Sequence, residues 1–283
     1  MRIVEIAPGL GYLRTAIVNV YFCGPSGAGD RGWVLVDAGM PGFAGSIARA
    51  AARRFGRGAR PRAIVLTHGH FDHVGGMNGL ARNGNARSLP MLVHPDFWLR
   101  RRITLPGGKA FELYTPGKSG MQGAGFEVIE GRAPSLLLDG SVLITGEVAR
   151  TTEFERGFPV HQAMRDGEWT PDPLVLDDQA LIVNVRDRGL VVLTGCGHAG
   201  IVNIVRHAQA LTGETRVHAV IGGFHLGGPM FEPIIPATVA ALAALAPSVL
   251  VPGHCTGLAA VRAIAEAMPD AFVQNAVGTR FVL

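Results

Sequence analysis

Residues 67–73 read THGHFDH and directly follow the apolar run AIVL. The pattern predicts a buried strand that ends in four residues with metal-ligating side chains. These residues are His68, His70, Asp72 and His73. In an extended chain the first two histidines project to the same side, and a turn can bring the aspartate and the third histidine back to a neighbouring point. Imidazole and carboxylate ligands hold zinc, iron or manganese and leave a position open for water, so the spacing favours two metal ions side by side.

A second stretch, TGCGHAG at residues 194–200, allows two interpretations. Gly195, Gly197 and Gly200 match the G-x-G-x-x-G pattern of dinucleotide sites, between an apolar run and a helical pattern. Such a site needs an acidic residue at the end of the next strand, about twenty residues on. That strand, RVHAVIGGF, ends in glycines. The other interpretation places His198 at a strand exit as a metal ligand, and it predicts that no nucleotide cofactor is bound.

Composition narrows the class of protein. The chain has 283 residues, 48% of them hydrophobic and 17% charged, which predicts a packed globular core. The net charge of +4 comes from scattered arginines, so no nucleic-acid partner is expected. Three cysteines without a framework spacing predict reduced thiols. Because no leader-like or membrane-spanning window is visible, the expectation is a cytoplasmic protein without a membrane partner.

Strand and helix patterns alternate twice along the chain, once in each half. The first half predicts a helix within GFAGSIARAAARRFG and another from HVGGMNGLARNG. The second half predicts a hairpin with its turn at RDRG, then helices from Ile201 to Leu211, in PIIPATVAALAAL and in AAVRAIAEAM. Residues 100–132 are rich in glycine and proline without a clear period, which predicts a lid or insertion. We expect one domain over residues 1–283, with two sheet-and-helix halves packed face to face.

The motif H-x-H-x-D-H after a strand resembles the metallo-β-lactamase superfamily, as does VLVDAG at residues 34–39. Further stretches resemble one branch of it, named after 7,8-dihydropterin-6-methyl-4-(β-D-ribofuranosyl)aminobenzene-5'-phosphate synthase. They are HPDFWLRRR, GEVARTTEFERGFP, LDDQAL, TGCGHAGIVN, IGGFHL and PGHCTG. The resemblance implies an α/β fold of the αββα type, in which two stacked mixed sheets are flanked by helices.

The resemblance also implies two divalent metal ions, zinc foremost, with iron or manganese as alternatives. One would be held by His68, His70 and His198, and the other by Asp72, His73 and His254. The chain departs from the common superfamily pattern at Cys196, where many members carry a bridging aspartate. Cys196 is either a bridging thiolate or, as we favour at this point, a small buried residue.

Other residues are candidates on position and chemistry. His225 follows a strand within GGFHLGG and is either a further ligand or a catalytic and substrate-contacting group. Arg150 and Arg156 flank TTEFE and either bind a phosphate or carboxylate of the substrate or are simply solvated. Asp177 and Asp178 either orient ligand histidines or cap a turn. His94 ends a strand without a ligand-type neighbour in sequence, which indicates a structural role.

The expected function is a dinuclear hydrolase that uses a metal-bound hydroxide on a phosphoester, lactone or thioester of an anionic small molecule. Asp72 would position the hydroxide, and His225 could assist the leaving atom. The alternative is a transferase that condenses a pterin diphosphate, as the branch name implies. A third possibility is a non-catalytic metal-binding module. The sequence does not indicate an oligomeric state.

Overall fold

The computed structural model describes residues 4–7, 10–14, 19–24, 32–82 and 86–275. The chain divides into two compact units. Unit 1 comprises Met1–Arg132, Ala163–Thr170 and Ala276–Leu283, and unit 2 comprises Ala133–Gln162 and Pro171–Asn275. Each unit has helices, a sheet and its own apolar core. The mixed α/β class expected from the sequence is confirmed, whereas the expectation of a single domain stays a prediction.

Unit 1 is built on a seven-stranded sheet and a smaller four-stranded sheet. In chain order its strands are β1 (Val4–Ala7), β2 (Leu10–Arg14), β3 (Asn19–Cys23), β4 (Val34–Val36), β5 (Ala63–Val65), β6 (Leu89–Val93), β7 (Arg101–Thr104), β8 (Ala110–Glu112) and β9 (Phe126–Glu130). Its helices are α1 (Ala44–Phe55), α2 (Phe71–Val74), α3 (Met77–Leu80) and α4 (Lys118–Gly123). The large sheet has the order β1-β2-β3-β4-β5-β6-β9, and β7 and β8 form the smaller sheet with two later strands.

The remaining strands and helices follow from residue 135 onward. The strands are β10 (Ser135–Leu137), β11 (Val142–Ile144), β12 (His161–Arg165), β13 (Glu168–Pro171), β14 (Leu181–Val185), β15 (Gly189–Leu193), β16 (Val217–Gly223) and β17 (Val249–Gly253). The helices are α5 (Ile201–Thr212), α6 (Ile235–Leu245) and α7 (Leu258–Ala267). The sheet of unit 2 has the order β10-β11-β14-β15-β16-β17, whereas β12 and β13 complete the four-stranded sheet. The predicted hairpin is confirmed as the antiparallel pair β14 and β15.

Parallel strands make up one side of each large sheet. In unit 1, β4, β5, β6 and β9 pair in parallel. In unit 2, β15, β16 and β17 do so. Parallel neighbours carry their carboxyl ends at the same edge of a sheet, which is where open α/β sheets place ligand sites. The strand-ending histidines noted in the sequence each follow one of these parallel strands; they are His68, His94, His198, His225 and His254.

The helices cover the sheets through apolar faces. In α1 the buried residues Ala44, Ile47, Ala50 and Ala51 lie on one face, and Gly56 ends the helix with a positive φ of 100°. In α5 the buried face includes Ile201, Ile204, Val205 and Ala208. Among the described helices, none is long and apolar enough to span a membrane.

The structure differs from the sequence prediction at the helix expected over residues 73–84. Two short helices, α2 and α3, stand there instead, separated by Gly75 and Gly76. The backbone of Gly76 packs against the Ala38 carbonyl so closely that a Cβ would collide with it. Its N–H also donates to the Gly39 carbonyl at 2.9 Å. This contact with the loop after β4 interrupts the helix, and periodicity carries no signal for such a contact.

Residues 100–132 contain more regular structure than their composition indicates. They form β7, β8, α4 and β9, and β9 pairs in parallel with β6 at the edge of the large sheet. Only Phe126 of β9 is buried, so the strand lacks the alternation that would identify it in sequence. The lid expected in this segment stays a prediction for the part before β9.

Candidate metal centre

The THGHFDH motif gathers its donor residues within unit 1. His68 follows β5, His70 precedes α2 in an extended conformation, and the first turn of α2 carries Asp72 and His73. The imidazole centroid of His68 lies 4.7 Å from that of His70 and 4.4 Å from that of His73. The Nε2 atom of His73 lies 3.6 Å from a carboxylate oxygen of Asp72. The turn expected from the sequence therefore brings all four side chains to one place.

Asp37, at the end of β4, fixes the orientation of this cluster. Its fully buried carboxylate lies 2.6 Å from Nδ1 of His73 and accepts the backbone N–H of Thr67 at 2.8 Å. The Thr67 hydroxyl donates to the same carboxylate and lies 3.0 Å from Nδ1 of His68. Because a carboxylate accepts, Nδ1 of His73 carries a proton, and Nε2 of the neutral ring is then available as a ligand. Asp37 has a φ of 62°, a conformation uncommon outside glycine and typical of functional sites.

Unit 2 presents a second set of donors after its three parallel strands. Cys196 and His198 follow β15, His225 follows β16, and His254 and Cys255 follow β17. The potential ligand atoms of Cys196, His198 and His225 all lie within 4.8 Å of one another. The sulfur of Cys196 is also 3.1 Å from Nε2 of His254. His225 and His254 have φ values of 45° and 53°, so both strand exits are conformationally strained.

The glycines of TGCGHAG serve packing rather than phosphate binding. Gly197 has a φ of 74°, and a Cβ there would lie 2.6 Å from the Gly223 carbonyl. Gly200 has a φ of 89°, and a Cβ there would collide with the carboxylate of Glu155. That carboxylate accepts the N–H groups of Val202 and Asn203 at the start of α5, each at 2.9 Å. The side chain of Glu155 thus already fills the helix N-terminus where a pyrophosphate would bind, which argues against the dinucleotide interpretation.

Asp178 holds the backbone of the same loop. Its buried carboxylate accepts the N–H of Ala199 at 2.9 Å. Burial raises the pKa of Asp178 to about 6, against the lowering effects of the Ala199 N–H and the Arg150 charge. Asp178 therefore supports the backbone of this loop, because it bonds the N–H of Ala199, the residue that follows the candidate ligand His198.

Aromatic side chains surround the histidines of unit 2. Phe158 stacks near His198 at a centroid distance of 6.3 Å and meets His225 edge-on at 5.0 Å. Phe231 meets His225 edge-on at 4.8 Å and lies 5.6 Å from Phe158. A small pocket is lined by His198, His225 and Phe231, together with Glu155 and glycines of the loop. The structure thus places His225 in an apolar wall beside His198.

The two candidate substrate arginines have backbone partners. Arg150 is partly buried and donates to the carbonyls of Val148 and Leu174. Burial lowers its pKa, although the charge of Asp178 opposes the shift. Arg156 is exposed, and its Nε donates to the Glu153 carbonyl at 2.6 Å. Arg150 therefore connects two loops through hydrogen bonds to their backbone carbonyls. A substrate contact of either arginine stays a prediction.

Two further predictions concern unit 1. His94 accepts the N–H of Asp96 on Nδ1 at 3.1 Å, and Arg132 bonds the Asp96 carboxylate at 2.6 Å, which agrees with a structural role for His94.

Within the segment expected to form a lid, Tyr114 meets Phe71 edge-on at 5.9 Å. Both rings are more than a third exposed. Because Phe71 lies between His70 and Asp72, part of the segment borders the THGHFDH cluster.

Sequence reasoning missed Asp37, Glu155 and Phe158. Asp37 stands directly after the apolar run VLV, the same strand-end position that identified the histidines, so a signal was present. Glu155 and Phe158 follow no strand and lie within an irregular loop. The contacts of Glu155 with Val202 and of Phe158 with His198 span 47 and 40 positions of sequence, which no local pattern reports.

The donor chemistry of both units fits divalent metal ions. Each unit presents imidazoles beside a carboxylate or a cysteine sulfur, the ligand types that bind zinc and related ions. In unit 1 the tautomer of His73 is set for binding through Nε2. In unit 2 both ring nitrogens of His225 are shielded from solvent. Such buried polar groups are costly without a partner, and a cation would supply one.

Comparisons with known proteins agree with this geometry. Residues 13–254 match the metallo-β-lactamase superfamily. The chain is 30% identical over 213 residues to the 7,8-dihydropterin-6-methyl-4-(beta-D-ribofuranosyl)-aminobenzene-5'-phosphate synthase of Methanocaldococcus jannaschii, which covers 74% of this chain and 71% of that protein. It is 43% identical over 91 residues to a Bacillus subtilis protein named "Probable metallo-hydrolase YflN", covering 32% of this chain and 33% of that one.

One solved structure is similar over nearly the whole length. It is a metal-dependent hydrolase of the β-lactamase superfamily, with a TM-score of 0.75 and 21% identity. The match covers 98% of this chain and 96% of that one. At this identity the likeness shows the fold alone, and the fold expected from the sequence motifs is confirmed.

Proposed function

This chain belongs to the metallo-β-lactamase superfamily, and on that premise we propose that it is a metal-dependent hydrolase of an anionic small molecule. The carrying observation is the THGHFDH cluster, in which three imidazoles and a carboxylate converge and Asp37 orients one of them. The bond we expect to be cleaved is a phosphoester, lactone or thioester.

We propose a dinuclear centre with the ligand sets implied by the family resemblance. His68, His70 and His198 would hold one divalent ion, and Asp72, His73 and His254 the other. Zinc suits the imidazole-rich set best, with iron and manganese as alternatives. When bound, such ions lower the pKa of water and polarise the bond under attack.

The protein's own residues would orient the reactants and move protons. Asp72, with 26% of its side chain exposed beside His73, is open to solvent and can accept a hydrogen bond from an attacking water. His225, held in an apolar wall by Phe158 and Phe231, can donate a proton to the leaving group. Arg156, whose side chain is exposed, is the better placed of the two arginines to meet a phosphate or carboxylate of the substrate.

A second candidate function is supported by the similarity to the dihydropterin synthase of M. jannaschii. In that case the metals would activate a diphosphate leaving group, and the amine nitrogen of a ribofuranosylaminobenzene phosphate would take the place of water. It would form a C–N bond to the methylene carbon of the pterin as diphosphate leaves and the amine loses a proton. The edge-on pair of Phe71 and Tyr114 offers an aromatic contact beside the motif for a pterin ring.

Metal analysis of the purified protein, combined with a panel of phosphodiester, lactone, thioester and pterin diphosphate substrates, tests both candidates. Hydrolysis of one of the first three supports the hydrolase, and condensation without hydrolysis supports the synthase. Bound metal with no turnover on the whole panel would instead favour a non-catalytic module.

The Asp72→Ala variant tests the assigned residue. It removes a carboxylate that neighbours His73 at 3.6 Å, so we expect lower metal content and lower kcat together. Asp270→Ala is the control, since Asp270 is exposed and lies outside the motif. Full activity of Asp72→Ala would refute the assignment.

A further inference from the structure

The sulfur of Cys196 lies close to three imidazoles of unit 2. It is 3.1 Å from Nε2 of His254, and its separation from the donor atoms of His198 and His225 is within 4.8 Å. We propose that Cys196 is a metal ligand that binds as a thiolate. This inference rests on the proposed metal-dependent function and adds a sulfur ligand to it.

The distances suit shared coordination. Zinc in a tetrahedral site lies about 2.3 Å from sulfur and about 2.0–2.1 Å from imidazole nitrogen. With tetrahedral angles these bonds place a sulfur and a nitrogen about 3.6 Å apart. The Cys196 sulfur lies 3.1 Å from Nε2 of His254, slightly less than this value. It lies within 4.8 Å of the donor nitrogens of His198 and His225, a range that includes this value. Small movements of the side chains would therefore complete the site.

The backbone presents this sulfur to the imidazoles. Cys196 follows β15 and is only 4% exposed. On the neighbouring strand β16, a Cβ at Gly223 would lie 3.0 Å from the Cα of Cys196 and 2.8 Å from the sulfur of Cys255. Glycine at this position therefore leaves room for both cysteines to approach β16 closely. A thiol with only a packing role does not need imidazole neighbours.

The two neighbouring cysteines have different roles. The thiol of Cys255 donates to the backbone carbonyl of Cys196 at 3.2 Å, whereas the sulfur of Cys196 faces His254. Cys255 also has side-chain hydrogen bonds with Cys196 and His225. Among the described residues, the groups of donor atoms close enough to share one ion contain Cys196 but not Cys255, so Cys196 is the candidate ligand. On metal binding the S–H bond of Cys196 would break, the sulfur would keep the electron pair for the metal, and the proton would pass to solvent. A thiolate ligand favours zinc over manganese or magnesium at this position.

X-ray absorption at the zinc edge of the zinc-loaded protein tests this assignment. We expect a sulfur shell at about 2.3 Å beside nitrogen and oxygen at about 2.0–2.1 Å. The shell should persist in Cys255→Ser and disappear in Cys196→Ser. If Cys196→Ser fails to fold, the result for Cys255→Ser still tests the proposal. The Cys255→Ser variant retains two cysteines, Cys196 and Cys23, and Cys23 lies in β3 of unit 1.

Cobalt substitution provides an independent readout. The Co²⁺-loaded protein should show a sulfur-to-cobalt charge-transfer band in the near ultraviolet, kept in Cys255→Ser and lost in Cys196→Ser. We also expect Cys196→Ser to weaken the binding of one metal by at least the 10–100-fold typical of losing a hydrogen-bond partner of a ligand.

The outcomes separate this inference from the function on which it rests. A zinc-loaded, active protein with only nitrogen and oxygen around zinc overturns the role of Cys196 and leaves the proposed function standing. A sulfur shell that disappears in Cys255→Ser also overturns it. Failure of the wild-type protein to bind zinc or cobalt would overturn both.

Discussion

Replacing Asp37 with asparagine should weaken metal binding without unfolding the protein. One carboxylate oxygen accepts the Thr67 N–H at 2.8 Å, and the other lies 2.6 Å from Nδ1 of His73. In the variant the amide oxygen keeps the Thr67 bond, so the amide nitrogen faces Nδ1 and donates to it. The ring proton of His73 must then move to Nε2, the nitrogen that faces Asp72.

The expected size of the effect follows from this change of tautomer. Losing the partner that orients a ligand histidine lowers metal affinity about 10–100-fold, or about 1.4–2.7 kcal/mol of binding free energy. The free energy of unfolding should fall less, because the hydrogen bonds survive and asparagine tolerates the φ of 62° at this position. Asp37→Ala should instead cost about 2–6 kcal/mol of unfolding free energy, since it leaves the Thr67 N–H and the His73 Nδ1–H buried without an acceptor.

Zinc affinity by competition with a chromophoric chelator, together with urea unfolding of the metal-free protein, measures both effects. Asp96→Asn is the matched control, because Asp96 is also a buried aspartate near the end of a parallel strand but bonds Arg132 rather than a ligand histidine. Zinc binding by Asp37→Asn within twofold of wild type would refute the tautomer argument.

Two further predictions concern the loop of unit 2. Gly200→Ala should lower the free energy of unfolding, measured in urea, by about 1–3 kcal/mol more than Gly42→Ala. Both glycines have a φ of 89°, but only a Cβ at Gly200 would collide with Glu155. Equal losses in the two variants would contradict the packing role of Gly200. The metal-free wild type should lose up to about 3 kcal/mol of stability relative to Asp178→Asn as the pH rises from about 4 to 6. The sign follows because burial raises the pKa of Asp178 from 3.8 to about 6, so the folded state holds a proton that the unfolded state has released; parallel pH profiles of the two proteins would contradict it.

Much of the layout could be predicted because it depends on local patterns. The helix α1 and the hairpin of β14 and β15 stand where periodicity and turn residues place them. Prediction failed at β9, whose side chains mostly face solvent, and at the helix split by Gly75 and Gly76. In both cases the deciding contact lies with a distant segment, β6 for the strand and the loop after β4 for the glycines.

The sequence by itself determined the donors of the site, because a histidine or aspartate directly after an apolar strand must emerge at the strand's carboxyl end. THGHFDH, His198 and His225 were predicted in this way, whereas His254 was predicted from the family resemblance. Only the tertiary structure decided which residues these donors meet. Asp37 reaches His73 across 36 positions, and Cys196 reaches His254 across 58. The order of parallel strands in a sheet sets these neighbours, and the pairing of strands distant in sequence leaves no local pattern.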